Sequence, residues 1–266
     1  MELKQVESGL VLSAISIRKL IGWLGAALPL LCLAYAIASH QTVLHAISDY
    51  YYTRVHAPFV GILCILGACL FSYRGYSRAE DALAKLGGLC AVGTALCPTD
   101  TELTDAAPVV SLLIGPSAKL LSVMHGLFAC SLFVIFMIFA AVFFTRTHES
   151  DKNDPLTFGR GLKTLLVTVF VLGANPFFSP TLGAGKERRN RIYRVCARFI
   201  AGAVLAVLLV ALLNKVGLIA EDPFPQFMFA CETVGLWAFA ASWLTKAEQF
   251  AFLRDELTSD TPSVAK

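Results

Sequence analysis

Glu232 in the run 226–244 and His125 in the run 120–145 are ionisable residues set deep in long apolar stretches of this sequence. Glu232 is about 10 Å into its run at ~1.5 Å per residue, and His125 about a turn and a half into its own. A carboxylate or imidazole at such depth is costly in hydrocarbon, so it faces a protein interior or a cavity. Glu232 could carry a proton, act as a general acid or base, or hold a polar headgroup. Gly235, Phe239 and Ser242 lie near the same helical face. The plainer reading is a carboxylate hydrogen-bonded to a neighbouring helix, and for His125 a satisfied interior histidine. Asp100 follows the third run in Cys97-Pro98-Thr99-Asp100, and Ser48-Asp49 precede the second run, which His56 opens. All these groups belong to one side. Glu232, His125, Asp100, Ser48, Asp49 and Tyr51 are therefore expected to form an outward-facing polar pocket, lined by the second, third, fourth and sixth helices. Asp49, His56 and Asp100 could equally be solvated helix ends. The stretch Ser48-Asp49-Tyr50-Tyr51-Tyr52-Thr53 fits an interfacial aromatic belt, or a pocket mouth that stacks against a ligand. An exposed Asp49–Arg54 pair would contribute little.

These groups require a scaffold of spanning helices. Six apolar runs, at 20–39, 57–73, 83–97, 120–145, 197–213 and 226–244, approach the ~20 residues needed to cross a hydrocarbon core. The hydrophobic fraction is 56% and the charged fraction 15%, with a mean hydropathy of +0.67. A soluble fold of 266 residues could not hide that much apolar surface, so lipid must be part of the solvent. The expected fold is all-α: a polytopic bundle of six spanning helices in a single domain, 1–254, with a polar, disordered tail at 255–266. Arg18 and Lys19 precede a run ending Ala36-Ile37-Ala38, which has the form of a signal-peptidase site, but the leader is long and the segment reads as an uncleaved first helix.

Lys and Arg are distributed unevenly between the connections. The N-terminal segment, the second loop and above all 146–196 are basic, whereas the first, third and fifth loops carry little positive charge. Both termini and the even-numbered loops therefore face the cytoplasm. Residues 164–174 are apolar but short and basic on both flanks, so they read as a re-entrant or interfacial piece. Arg191, Arg194 and Arg198 make a basic stripe leading into the fifth helix. It could contact anionic lipid headgroups, and the positive-inside rule accounts for it as well. Gly183-Ala184-Gly185-Lys186-Glu187 lacks the spacing and the hydroxyl residue of a phosphate loop. The eight cysteines form no CxxC pair and read as small packing residues. No cofactor, metal or nucleic acid is implied. The expected partners are membrane lipids, and protein partners stay open.

Tyr73-Arg74-Gly75-Tyr76, Cys97-Pro98-Thr99, His125, Arg189-Asn190-Arg191-Ile192-Tyr193-Arg194, and Glu232 with Trp237-Ala238-Phe239-Ala240-Ala241-Ser242-Trp243-Leu244, together with the tyrosine stretch, resemble an uncharacterised family of bacterial six-helix integral membrane proteins. The resemblance covers about 45–246 and implies a multi-pass protein of a bacterial inner membrane. More distantly, the chain resembles Frag/DRAM-like proteins, which are linked to lipid remodelling. It also resembles the alkaline ceramidase and progestin-receptor superfamily. That group carries an HxxxH pair for zinc in its last helix, whereas the last apolar run here has no histidine. Three functions follow as expectations. The first is binding or sensing of a lipid or small amphiphile. The second is intramembrane lipid hydrolysis, with Glu232 or His125 as base and Asp100 orienting it. The third is proton-coupled transport through Glu232.

Overall fold

The computed structural model describes residues 2–99, 118–145, 184–219 and 225–250. The expected re-entrant piece at 164–174, the tail at 255–266 and Asp100 lie outside them. Among the described residues all regular structure is helical. It comprises α1 (Glu2–Ala38), a 3-10 turn (Ile47–Tyr52), α2 (His56–Ser72), α3 (Arg78–Leu96), α4 (Ala118–Ile138) continued by a π turn (Phe139–Phe143), α5 (Ala184–Lys215) and α6 (Phe227–Lys246). Closing every backbone hydrogen bond within its own segment is what a chain in hydrocarbon must do.

Four of these helices contain stretches long and apolar enough to cross a membrane: Ala14–Ala38, Lys119–Phe143, Gly185–Lys215 and Phe227–Lys246. That is the mark of a multi-pass membrane protein. Helix α2 is apolar but only 17 residues long. Helix α3 has 19 residues, but Arg78, Glu80, Asp81 and Lys85 occupy its first two turns and lower its hydropathy. Those charges start the helix. Ser77 caps it by accepting the Glu80 N–H at 3.2 Å, and two acidic side chains meet the positive end of the helix dipole.

Each helix packs against the one before it in sequence, and α6 closes back onto α1, so the six form a ring. The centre is aromatic. Phe136 of α4 stacks on Phe239 of α6 at 3.6 Å between centroids, and the fully buried Trp243 touches Tyr73, Phe139, Phe144 and Phe239. The π turn makes this cluster possible. It adds one residue to a helical turn, closed by the Phe144 N–H donating to the Phe139 carbonyl at 2.9 Å, and thereby brings Phe139, Phe143 and Phe144 all inside. Pro29 is buried within α1, which continues through it.

Where α2 meets α3 the backbones touch. A Cβ built on Gly88 would lie 2.6 Å from the Gly67 carbonyl oxygen, a contact that only backbone movement relieves. Small residues permit such approaches where helices associate by close packing. Gly88→Val should therefore destabilise the protein by about 1–3 kcal/mol, as overpacking does. Gly61→Ala, which has no atom within 4 Å of its added Cβ, should be neutral within about 1 kcal/mol. Thermal unfolding of the two variants in one detergent checks this; equal melting temperatures would contradict the close contact.

Candidate functional site

Between α1 and α2 the chain passes from exposed residues (His40, Gln41, Thr42 and His45) to buried ones (Ala46, Ile47, Ser48, Tyr50 and Tyr51). The buried ones fold into the mouth of the ring and are tied there. Helix α1 ends where His40 adopts a left-handed backbone (φ 53°) and the Gln41 N–H returns to the Ala36 carbonyl at 3.0 Å. The chain then turns back across the start of α6. The Phe229 N–H donates to the His45 carbonyl at 2.8 Å, and the Ile47 N–H donates to Glu232 Oε2 at 2.6 Å. The Asp49 carboxylate accepts the Ala46 N–H at 3.0 Å, which winds the 3-10 turn. Ala46, Ile47, Ser48 and Tyr50 are buried by this arrangement.

The tyrosines are structural members of the turn. Tyr50 is fully buried, edge-on to Tyr35 and against Phe229. Tyr51 stacks edge-on with Tyr52 and His56, and the Tyr51 carbonyl lies 2.7 Å from His56 Nδ1. Tyr52 donates its hydroxyl hydrogen to the Thr99 carbonyl.

Beneath this loop lies a cavity of about 470 Å³. His45, Ser48, Asp49, Thr99, His125 and Glu232 supply its polar wall, with Ser122 one turn before His125. The other walls are apolar: Ala129 and Phe133 of α4, Val204 and Val207 of α5, and Met228 of α6. Phe133 forms one wall by packing over Gly235; a Cβ there would meet its ring at 2.6 Å. Gly126 and Leu208 line the cavity and are also exposed at the outer surface, so the space reaches the rim between α4 and α5.

Four of the six pocket residues expected from sequence thus share this cavity: Glu232, His125, Ser48 and Asp49. Tyr51 is turned into the aromatic packing around His56, and Asp100 lies outside the described residues. The helices differ from expectation. Helix α5 supplies a wall, while α2 is absent and α3 contributes only Thr99 beyond its end. The reason is ring order, which places α5 between α4 and α6. Sequence reasoning missed Ser122 and the α5 face. The spacing of Ser122 to His125 was a legible signal, but Ala203, Val204 and Val207 look like any spanning residues. Arg191, Arg194 and Arg198 share one stripe on α5 at the opposite end from Glu232, with Arg191 4.0 Å from Glu187.

The donor set is polarised. His125 is buried, and its Nδ1 lies 2.6 Å from the Cys97 carbonyl. A carbonyl only accepts, so Nδ1 carries the hydrogen, and the Thr94 backbone carbonyl also lies within range of the ring. Asp49 is close enough to interact electrostatically with both His125 and Glu232. Burial pushes the Asp49 carboxyl above the usual carboxylate range. The Ala46 N–H, His45 and His125 oppose that shift. Among the described residues no three His, Cys, Asp or Glu side chains are grouped to hold a metal ion. All eight cysteines are free.

Compared with protein-family models, curated proteins and solved structures, the chain matches none.

Two outcomes follow. Glu232→Ala removes the acceptor of a buried loop amide and should cost about 1–3 kcal/mol, whereas Glu232→Gln keeps an acceptor and should cost about 1 kcal/mol or less. Equal losses would contradict the loop bond. For Asp49 the folded state holds the proton more tightly than the unfolded chain, so ionisation opposes folding. The stability of wild type relative to Asp49→Asn should therefore fall as pH rises above about 3.8, the ordinary carboxyl value, and level off once Asp49 is ionised in both states. Melting temperatures of both proteins from pH 4 to 8 test this, and parallel curves would contradict it.

Proposed function

We propose that the chain is a six-span protein of a bacterial inner membrane, with both termini cytoplasmic, that binds or senses a lipid or small amphiphile in its outward-facing cavity. One observation carries the reading: the cavity is polar where the first loop, α4 and α6 meet and apolar along α4 and α5. Its volume of about 470 Å³ falls within the ~300–1,000 Å³ of small-molecule sites. A headgroup would meet Glu232, Asp49 and His125. An attached chain would lie along Phe133, Val204 and Val207 and leave by the rim at Gly126 and Leu208. The sidedness follows from the basic loops. The resemblance to lipid-remodelling membrane proteins points the same way.

Native mass spectrometry of the detergent-purified protein, with extraction and identification of bound lipid, tests the proposal. Wild type should retain one amphiphile per chain. Glu232→Gln should lower its occupancy about tenfold, the loss of one charge-assisted hydrogen bond, while still unfolding cooperatively. An empty wild type, or a Glu232→Gln protein altered only in melting temperature, would refute it. Conversion of added lipid by wild type would assign hydrolysis instead, and proton uptake coupled to a solute and lost in Glu232→Gln would assign transport.

A further inference from the structure

The polar wall of the cavity is built mainly from hydrogen-bond acceptors. Two carboxylates, Asp49 and Glu232, stand in it and are close enough to act on each other. Among the described residues that line the cavity there is no Lys or Arg, and the imidazoles of His45 and His125 are the groups that can turn positive. His125 is already engaged by the protein, with Nδ1 2.6 Å from the Cys97 carbonyl and the Thr94 carbonyl also within range of its ring. Ser48, Thr99 and Ser122 add hydroxyls, which accept as readily as they donate.

Both carboxylates hold the first loop and keep capacity beyond it. Glu232 Oε2 accepts the Ile47 N–H at 2.6 Å. Asp49 Oδ2 accepts the Ala46 N–H at 3.0 Å, and the Thr99 side chain lies beside the same carboxylate. An ionised carboxylate offers about four acceptor sites, so these bonds exhaust neither group. Two carboxylates in a cavity that is apolar on its other walls repel each other and lose hydration. His45 and His125 act on Asp49 and offset part of that cost; a cation beside both carboxylates would offset more.

The sequence extends the same sign of charge. The connections 39–55, 97–117 and 216–226 join helix ends on this side and carry Asp49, Asp100, Glu102, Asp105, Glu221 and Asp222. Their one arginine is Arg54, with Lys119 and Lys215 at the bordering helix ends. An excess of negative charge draws cations and repels anions. The opposite end of the ring differs. There Arg18 lies over Tyr73 and Tyr76, and Lys246 over Tyr76 and Phe144, with Glu80 acting on Lys246.

We propose that the ligand of the cavity is an amphiphile with a positively charged amine head, held by Asp49 and Glu232. The inference rests on reading the cavity as an amphiphile site and adds the sign of the head. An ammonium has three hydrogens to donate, makes charge-assisted bonds to carboxylates and relieves their repulsion. Its chain follows Phe133, Val204 and Val207 towards the rim at Gly126 and Leu208. A phosphate or carboxylate head would bring a further negative charge to a wall that already holds two.

Native mass spectrometry of the full chain in neutral detergent tests this with three amphiphiles that share one decyl chain: decylamine, decanol and decyl phosphate. Wild type should take up one decylamine per chain, with an affinity about tenfold or more above that for decanol, and decyl phosphate should bind more weakly than decanol. Asp49→Asn should reduce the preference for decylamine over decanol about tenfold. Decanol occupancy in the same sample shows that the variant still holds its cavity, and if Asp49→Asn does not fold, Glu232→Gln is read in its place. A free amine and an aminophospholipid share this chemistry. Displacement of decylamine by phosphatidylethanolamine but not by phosphatidylglycerol assigns the lipid, and displacement by neither assigns a free amine. Equal binding of the three decyl compounds would overturn the amine head while leaving the amphiphile cavity standing; binding of none would overturn both. Preference for decyl phosphate, stronger displacement by phosphatidylglycerol, or a decylamine preference undiminished in the variants would also overturn the proposal.

Discussion

A bilayer offers no water to a loose backbone amide, so the loop between α1 and α2 can enter the mouth of the ring only if the protein supplies partners for it. Glu232 is the principal supplier. Its carboxylate takes the Ile47 N–H, the neighbouring His45 carbonyl takes the Phe229 N–H, and the 3-10 turn is thereby held over the gap between α4, α5 and α6. Without that attachment Ser48 and Asp49 would not reach the cavity, and Tyr50 would lose its place against Phe229. The same carboxylate is also one of the polar groups that a ligand would meet. On the proposed reading, structure and binding would compete for one side chain, which has two oxygens to divide between them.

The remainder of the fold keeps two polar ends apart. Aromatic packing fills the centre, where Phe136, Phe239 and Trp243 leave little room for polar side chains. One end gathers carboxylates and imidazoles under a loop. The other gathers cations over tyrosine rings, with Glu80 used to fix the turn between α2 and α3. That division follows from chain direction: antiparallel neighbours in a ring return every second connection to the same end.

Much of this was legible in the sequence, because hydrophobic runs and basic loops are strong one-dimensional signals. Each of the six apolar runs falls on a helix, although only four of the helices are long and apolar enough to cross a membrane, and Glu232 and His125 line one cavity. What was not legible depends on which helix stands beside which. Neighbours in a ring come from packing, so the wall from α5 and the absence of α2 could not be read from spacing. Glu80 was missed for another reason. Its Ser77-Arg78-Ala79-Glu80 setting looks like a helix start, and only the fold reveals that its carboxylate is buried beneath Tyr73. Lys246 likewise looks like a cation that simply ends a span, until α1 and α5 bring Arg18, Lys186 and Arg189 to it.

The attachment of the first loop through Glu232 is what both the cavity and its polar wall rest on, and amide hydrogen exchange of residues 44–52 reads it directly. In wild type the Ile47 amide should exchange slowly, as a buried donor with a carboxylate partner does. In Glu232→Ala its protection, and that of the adjoining turn, should collapse while the α3 amides stay protected. Rapid exchange at Ile47 in wild type, or protection unchanged by Glu232→Ala, would contradict the loop's place in the mouth of the ring.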